Sequence, residues 1–243
     1  GEFVMIRSVG LLATLLLAQP VIADEASSFG EAFTDGTAHV NFRYRFEYVD
    51  QDGFTNESKA STLKTRLNFK TRSYNGFSVF LEADDVSYIG SANFNNTRNG
   101  EGTYPVVADP KGTDINQAYI NYAVDTLNFR LGRQRVNLDN QRFVGGVGWR
   151  QNEQTYDAFS VIKTTENVTF LYGFVGNVSR IFGPEDGAPA KRLDTKTHLA
   201  NVGIKAGDIG KISLYGYVMD VEDATAVSNR TFGIRYTGSF DLS

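Results

Sequence analysis

From Val40 to Val49 the chain reads VNFRYRFEYV, with Val40, Phe42, Tyr44, Phe46 and Tyr48 on one parity and Asn41, Arg43, Arg45 and Glu47 on the other. Period two of this kind marks an extended strand with one apolar and one polar face. Leu63 to Arg72 repeats it, with Leu63, Leu67 and Phe69 against Lys64, Arg66, Asn68, Lys70 and Arg72. Further strand candidates start near Phe77, Asp114, Leu127, Gln151, Val168, Lys196, Lys211 and Asn229. That makes ten segments of about ten to twelve residues, the length a tilted strand needs to cross a hydrocarbon core.

The connections carry as much information as the strands. Long ones (50–60, 88–113, 138–150, 180–195 and the stretch after Val221) alternate with short ones (73–76, 125–126, 164–167, 207–210). A meander with tight turns at one end and long loops at the other predicts an all-β, antiparallel up-and-down transmembrane barrel, with the tight turns on the periplasmic side. A soluble β-sandwich shows the same alternation, but nothing in it sorts loops by length. Aromatic residues fit the barrel: Tyr119 and Tyr122, Phe170, Tyr172 and Phe174, and Phe232 and Tyr236 supply rings for interfacial girdles, although strands favour such residues anyway. Turning the first strand over would aim Arg43 and Arg45 at lipid, at about 2–4 kcal/mol each near the midplane. The apolar parity therefore faces outward.

Composition narrows the possibilities further. The chain has 243 residues, no cysteine, 24 basic against 28 acidic side chains and two histidines. The absence of cysteine leaves no disulfide, thiolate metal site or cysteine nucleophile, and a net charge of −4 argues against a nucleic-acid partner. Met5-Ile6-Arg7, the apolar run from Val9 to Ala18 and the small residues ending at Ala23 read as a secretory signal peptide over 5–23. Residues 1–4 precede the initiator and read as a cloning scar or read-through. Residues 24–36 are expected to form an N-terminal periplasmic segment and 37–243 the barrel.

With the apolar parity outward, the inward charges are Arg43, Arg45, Lys64, Arg66, Lys70, Arg72, Arg130 and Lys205 against Glu47, Glu82, Asp84 and Asp157. Basic charge concentrated in a narrow aqueous channel raises the local concentration of anions and selects for them. The same side chains could equally pair across neighbouring strands and brace the wall. Strict parity in the fifth strand would put Arg133 and Arg135 in lipid. Either a bulge at Gly132 re-aims them into the pore, or the chain has already left the membrane there.

The stretch that follows is the most specific. GRQR at 132–135, DNQRFVGGVGWRQNEQTYDA at 139–158 and RYRFEYVDQ at 43–51 resemble the alginate-export family of outer-membrane porins. The resemblance spans most of the mature chain. It implies a monomeric barrel of about eighteen strands in the bacterial outer membrane, with an arginine-rich constriction passing an anionic polysaccharide or small anions. Arg133, Arg135, Arg142 and Arg150 join the inward cations as expected lining residues, and lipid, the anionic solute and periplasmic export or uptake proteins are the expected partners. The sequence departs from that family in length, because only ten strands are used by Ser243. We therefore expect the N-terminal part of a larger barrel, with a closed ten-strand barrel as the alternative.

No cofactor, metal or catalytic site is expected. Asp84-Asp85 and His198 have no nucleophile beside them to make a hydrolase. Glu185-Asp186 and Glu222-Asp223 lack the one-three-five spacing of a Ca²⁺ loop. Gly145, Gly146 and Gly148 have the wrong spacing for a dinucleotide site. Two other uses of the pattern stay open: a general diffusion pore with no polysaccharide role, and a secreted carbohydrate-binding sandwich stacking sugars on Trp149.

Overall fold

A computed structural model describes residues 25–238. The expected signal peptide and residues 239–243 lie outside that range. A short helix, α1 (Phe29–Thr34), leads into β1 (Thr37–Val49), β2 (Ser58–Lys70), β3 (Phe77–Asn93), β4 (Gly112–Val124), β5 (Leu127–Gln134), β6 (Thr155–Thr164), β7 (Val168–Ser179), β8 (Arg192–Lys205), β9 (Lys211–Met219) and β10 (Asn229–Thr237). The strands form one antiparallel sheet in sequence order from β1 to β10, and β1 is not paired with β10. No helix among the described residues is long and apolar enough to cross a membrane, which says nothing of a barrel that crosses with strands.

The alternation of connections holds. Segments 71–76, 125–126, 165–167 and 206–210 are short, while 50–57, 94–111, 135–154, 180–191 and 220–228 are long. Asn75 and Gly76 both adopt positive φ, as a primed hairpin turn requires, and Tyr74 and Phe77 exchange backbone hydrogen bonds across them. At this end α1 begins at Ser28, whose Oγ accepts from the Glu31 backbone N–H at 3.2 Å. Arg72 then ties the helix to the β2–β3 turn, donating to Glu31 and Asp35 at 3.0 Å each.

The two faces of the sheet differ as period two demands. Phe42 and Leu131, at 66% and 62% exposure, lie on the apolar parity, whereas Glu82 and Asp84 on the opposite face are 4% and 5% exposed. Charged residues are the buried ones here because the long connection 135–154 folds against the inner face and the sheet curls around it. Val136, Leu138 and Val144 of that connection join Tyr156, Ala158, Val175, Leu199 and Tyr217 of β6–β9 in one apolar cluster. Each fully buried side chain of this size contributes about 1.5–3 kcal/mol.

Several strand bounds are corrected: β2 and β8 start at Ser58 and Arg192, ahead of the expected Leu63 and Lys196. β6 starts at Thr155 rather than near Gln151, because residues 151–154 (QNEQ) carry no apolar residue to alternate with and belong to the inward connection. β3 runs to Asn93, further than the pattern indicated, because its outer half pairs with β2 around a bulge at Ala60/Thr62. There is no bulge at Gly132 either: β5 keeps continuous register with both β4 and β6. Gly132 has another reason to be glycine. Its φ is +126°, and a Cβ there would sit 2.3 Å from the Ala118 carbonyl oxygen.

Candidate solute pathway

The inner face is organised by the connection between β5 and β6. Arg135, just past the end of β5, turns inward and reaches Glu153 at 2.7 Å and Glu82 at 3.0 Å. Glu153 also meets Arg66 at 2.9 Å and Lys64 at 3.3 Å. Arg66 in turn forms a two-pronged pair with Asp84 on β3, at 2.7 and 2.6 Å. Burial alone would raise the Glu153 carboxyl, but the Arg135, Arg66 and Lys64 cations outweigh it and hold the group down at about 2. The acid that the sequence reading placed in a strand is thus the clamp of a loop lying across the β1–β3 wall.

A second cluster lies nearer the long-loop end. Gln151, fully buried, donates to Thr62 at 2.8 Å, and its backbone N–H reaches Asp109 at 2.8 Å. Arg43 donates to Gln151 at 2.9 Å and to the Gly148 carbonyl at 2.8 Å. Arg45 pairs with Glu47, while Arg150 lies 3.3 Å from Glu47 and 3.6 Å from Asp109. Trp149 is sandwiched, with Arg150 at 3.9 Å and Arg45 at 4.8 Å from its ring. Asp109 and Glu153 both come from long connections. Their arrival inside the sheet was invisible to a parity count, which sees only strand residues.

The expected lining residues therefore separate into groups. Arg45, Lys64, Arg66, Arg135 and Arg150 are inside but matched by Glu47, Glu82, Asp84, Asp109 and Glu153, so the wall here alternates in sign. Lys70, Arg130 and Arg142 form no ion pair among the described residues, while Arg43, bonded to the loop, also feels Glu153 and Asp109. Arg130 sits over the Tyr119 ring at 4.2 Å. Arg72 serves the helix at the short-turn end. Arg133 and Asp157 are corrections: register continuity keeps them on the outward parity with Leu131 and Phe159, where they pair at 2.8 Å beside Arg192.

Sequence reasoning missed Arg235. Its partner in register is Ser213, on the inner face, and it borders a recess of about 290 Å³ with Arg142, Asp139, Phe143, Tyr215 and Tyr217. Tyr215 and Tyr217 stack at 5.2 Å, and Asp139 accepts from Asn201 at 2.8 Å. The other chemistry considered has structural partners: Glu222 pairs with Lys196, Asp186 with Lys191, and His198 lies 2.9 Å from the Tyr172 hydroxyl on the outer face. Among the described residues no group of three or more acids or histidines could hold a metal ion.

Comparison with known proteins gives two kinds of match. The family profile described as alginate export matches residues 37–241. Among solved structures, OccAB1 of Acinetobacter baumannii superposes with a TM-score of 0.60 at 13% identity, covering 82% of this chain and 48% of that one. OccK8 (OprE) of Pseudomonas aeruginosa gives 0.57 at 14% identity, covering 76% and 47%. OccK9 (OpdG) of the same organism gives 0.51 at 13%, covering 86% and 65%. At these identities the likeness concerns the fold. The chain spans about half the length of the first two barrels. No curated protein sequence matches the chain.

Proposed function

The chain belongs to the alginate-export family of bacterial outer-membrane β-barrels, and from that premise we propose that the protein it forms is a porin passing anionic solutes by passive diffusion, an anionic polysaccharide such as alginate among them. One observation carries this reading. On the inner side Lys70, Arg130, Arg142 and Arg235 form no ion pair among the described residues. Of the acids there, Glu47, Glu82, Asp84, Asp109 and Glu153 are all paired with other cations. Uncompensated cations in a narrow, low-dielectric passage stabilise a passing anion against loss of its hydration shell.

The loop supplies the narrowing. Arg142 and Arg235 border one recess together with Asp139 and the stacked Tyr215–Tyr217 rings. A sugar carboxylate would meet two guanidinium groups there, with an aromatic surface for its ring. The matched pairs of β1–β3 hold the loop and add little net field.

Single-channel recording of the full-length protein in asymmetric KCl tests the reading. Wild type is expected to show a reversal potential of anion-selective sign, and R130A/R142A to shift it toward zero by at least half, since screened fields act within about 10 Å at 0.1 M salt. A cation-selective wild type would contradict the proposal. Alginate oligomers, but not neutral dextrans of equal length, should block the current. Equal indifference to both would reduce the protein to a general diffusion pore.

A further inference from the structure

The inner wall near the short β4–β5 turn carries polar groups that the fold leaves unmet. Arg130 Nε and the Oδ1 atoms of Asn121 and Asn128 are buried and make no hydrogen bond. All three belong to one patch. Asn121 and Arg130 are register partners, and Asn128 stands two residues before Arg130 on the same face, opposite Ala123. Side chains so placed start about 5–8 Å apart. Leaving buried donors and acceptors unpaired is costly, so three of them side by side call for an explanation.

The surroundings hold no partner in reserve. The row through Asn121 and Arg130 ends on Ser78 and Ser160, and the Ser160 hydroxyl is already donated to Gln134 at 2.8 Å. One step toward the long connections the row runs Phe80, Tyr119, Gly132, and one step the other way Ala123, Asn128, Ile162. From β3 to β6 these three rows contain no acid, while Lys70 on β2 adds a second cation opposite Phe80. Glu82, two residues beyond Phe80, is engaged by Arg66, Arg135, Asn116 and Gln117. The Arg130 guanidinium rests on the Tyr119 ring at 4.2 Å, and Tyr119 stacks on Phe80 at 5.2 Å.

We propose that this patch is a subsite for one unit of a sugar acid, whose carboxylate meets Arg130 while its ring hydroxyls pair with the Asn121 and Asn128 amides. The chemistry of the unmet atoms selects the ligand. A guanidinium donor asks for an anion, and an amide oxygen asks for a donor. Chloride or a plain carboxylate would leave both asparagines unmet, and a neutral sugar would leave Arg130 unmet. A hydroxyl serves an amide turned either way, because it both donates and accepts. Each of the three residues is half-buried, so rotation of its side chain brings the unmet atom to the passage. The inference rests on the transport reading and deepens it: at the short-turn end the wall selects by hydroxyl pattern as well as by charge.

The test is isothermal titration of the full-length protein in detergent with trimannuronate, triglutamate and maltotriose. These carry carboxylates with hydroxyls, carboxylates without hydroxyls, and hydroxyls without carboxylates. Wild type should bind trimannuronate most tightly, and N121A/N128A should weaken that binding about tenfold, as loss of two hydrogen bonds implies. The same variant should keep its affinity for triglutamate, which reports a folded protein with Arg130 in place, and R130A should weaken both acids. Equal affinity of wild type for the two acids, or undiminished trimannuronate binding by N121A/N128A, would overturn the proposal. A parallel loss of both acids in N121A/N128A would overturn it too, since the amides would then serve charge or fold rather than hydroxyls. The reversal potential of the same preparation in asymmetric KCl separates the two readings. An anion-selective channel without hydroxyl discrimination ends this inference alone, and a cation-selective one ends both.

Discussion

Glu153→Gln is expected to free the inward loop and raise the open-channel conductance of the full-length protein severalfold, with larger current noise. The substitution removes the one carboxylate shared by Lys64, Arg66 and Arg135, and leaves buried Lys64 and half-buried Arg66 and Arg135 with Asp84 and Glu82. Breaking a buried pair on one side typically costs about 3–5 kcal/mol. The depressed carboxyl gives a matching pH dependence. A carboxyl held near 2, against an ordinary 4.5, contributes stability that is complete above 4.5 and is lost as pH falls toward 2. The difference corresponds to roughly 3 kcal/mol. Wild type should therefore acquire the conductance of the variant as pH falls through this window, while E153Q stays flat. Identical conductance of the two proteins at pH 7 would mean that other contacts hold the loop.

The second large effect concerns the two faces. Phe42→Arg should destabilise folding into phospholipid vesicles by about 2–4 kcal/mol, whereas Asn41→Arg, one residue away, should cost under about 1 kcal/mol. Phe42 points to the apolar exterior, and Asn41 shares the inner face with Arg43 and its register partner Arg66. Urea unfolding of the two variants measures the difference. Equal penalties would place both side chains in the same medium.

Much of the fold was legible because β-strand alternation is a local property. Each of the ten strands overlaps a period-two segment, and three of the four short turns carry Asn, Asp or Gly at positive φ: Asn75 and Gly76, Asp125, and Gly207 and Gly210. Strand parity does not extend to the long connections. Gln151 and Glu153 lie in the connection before β6, where residues 151–154 carry no apolar residue to alternate with, and Asp109 lies in the connection after β3. No periodicity betrays a loop that folds inward. The available signal was compositional, since apolar Val136, Leu138 and Val144 within a glycine-rich polar stretch have no reason to face water. The Gly132 reading failed for a related reason: a positive φ can be accommodated within an unbroken ladder, so glycine in a strand does not by itself imply a bulge.

The separation of an oily exterior from a wet interior by alternate side chains is most directly measured by spin labels. These 243 residues contain no cysteine, so a single cysteine placed at each position from Ala38 to Tyr44 of β1, in a cysteine-free background of the full-length protein reconstituted in vesicles, gives a label at a known site. Oxygen, which partitions into lipid, should relax labels most at 38, 40, 42 and 44, and a water-soluble nickel chelate should relax them most at 39, 41 and 43. Accessibilities that fail to alternate, or that alternate in the opposite phase, would contradict the account.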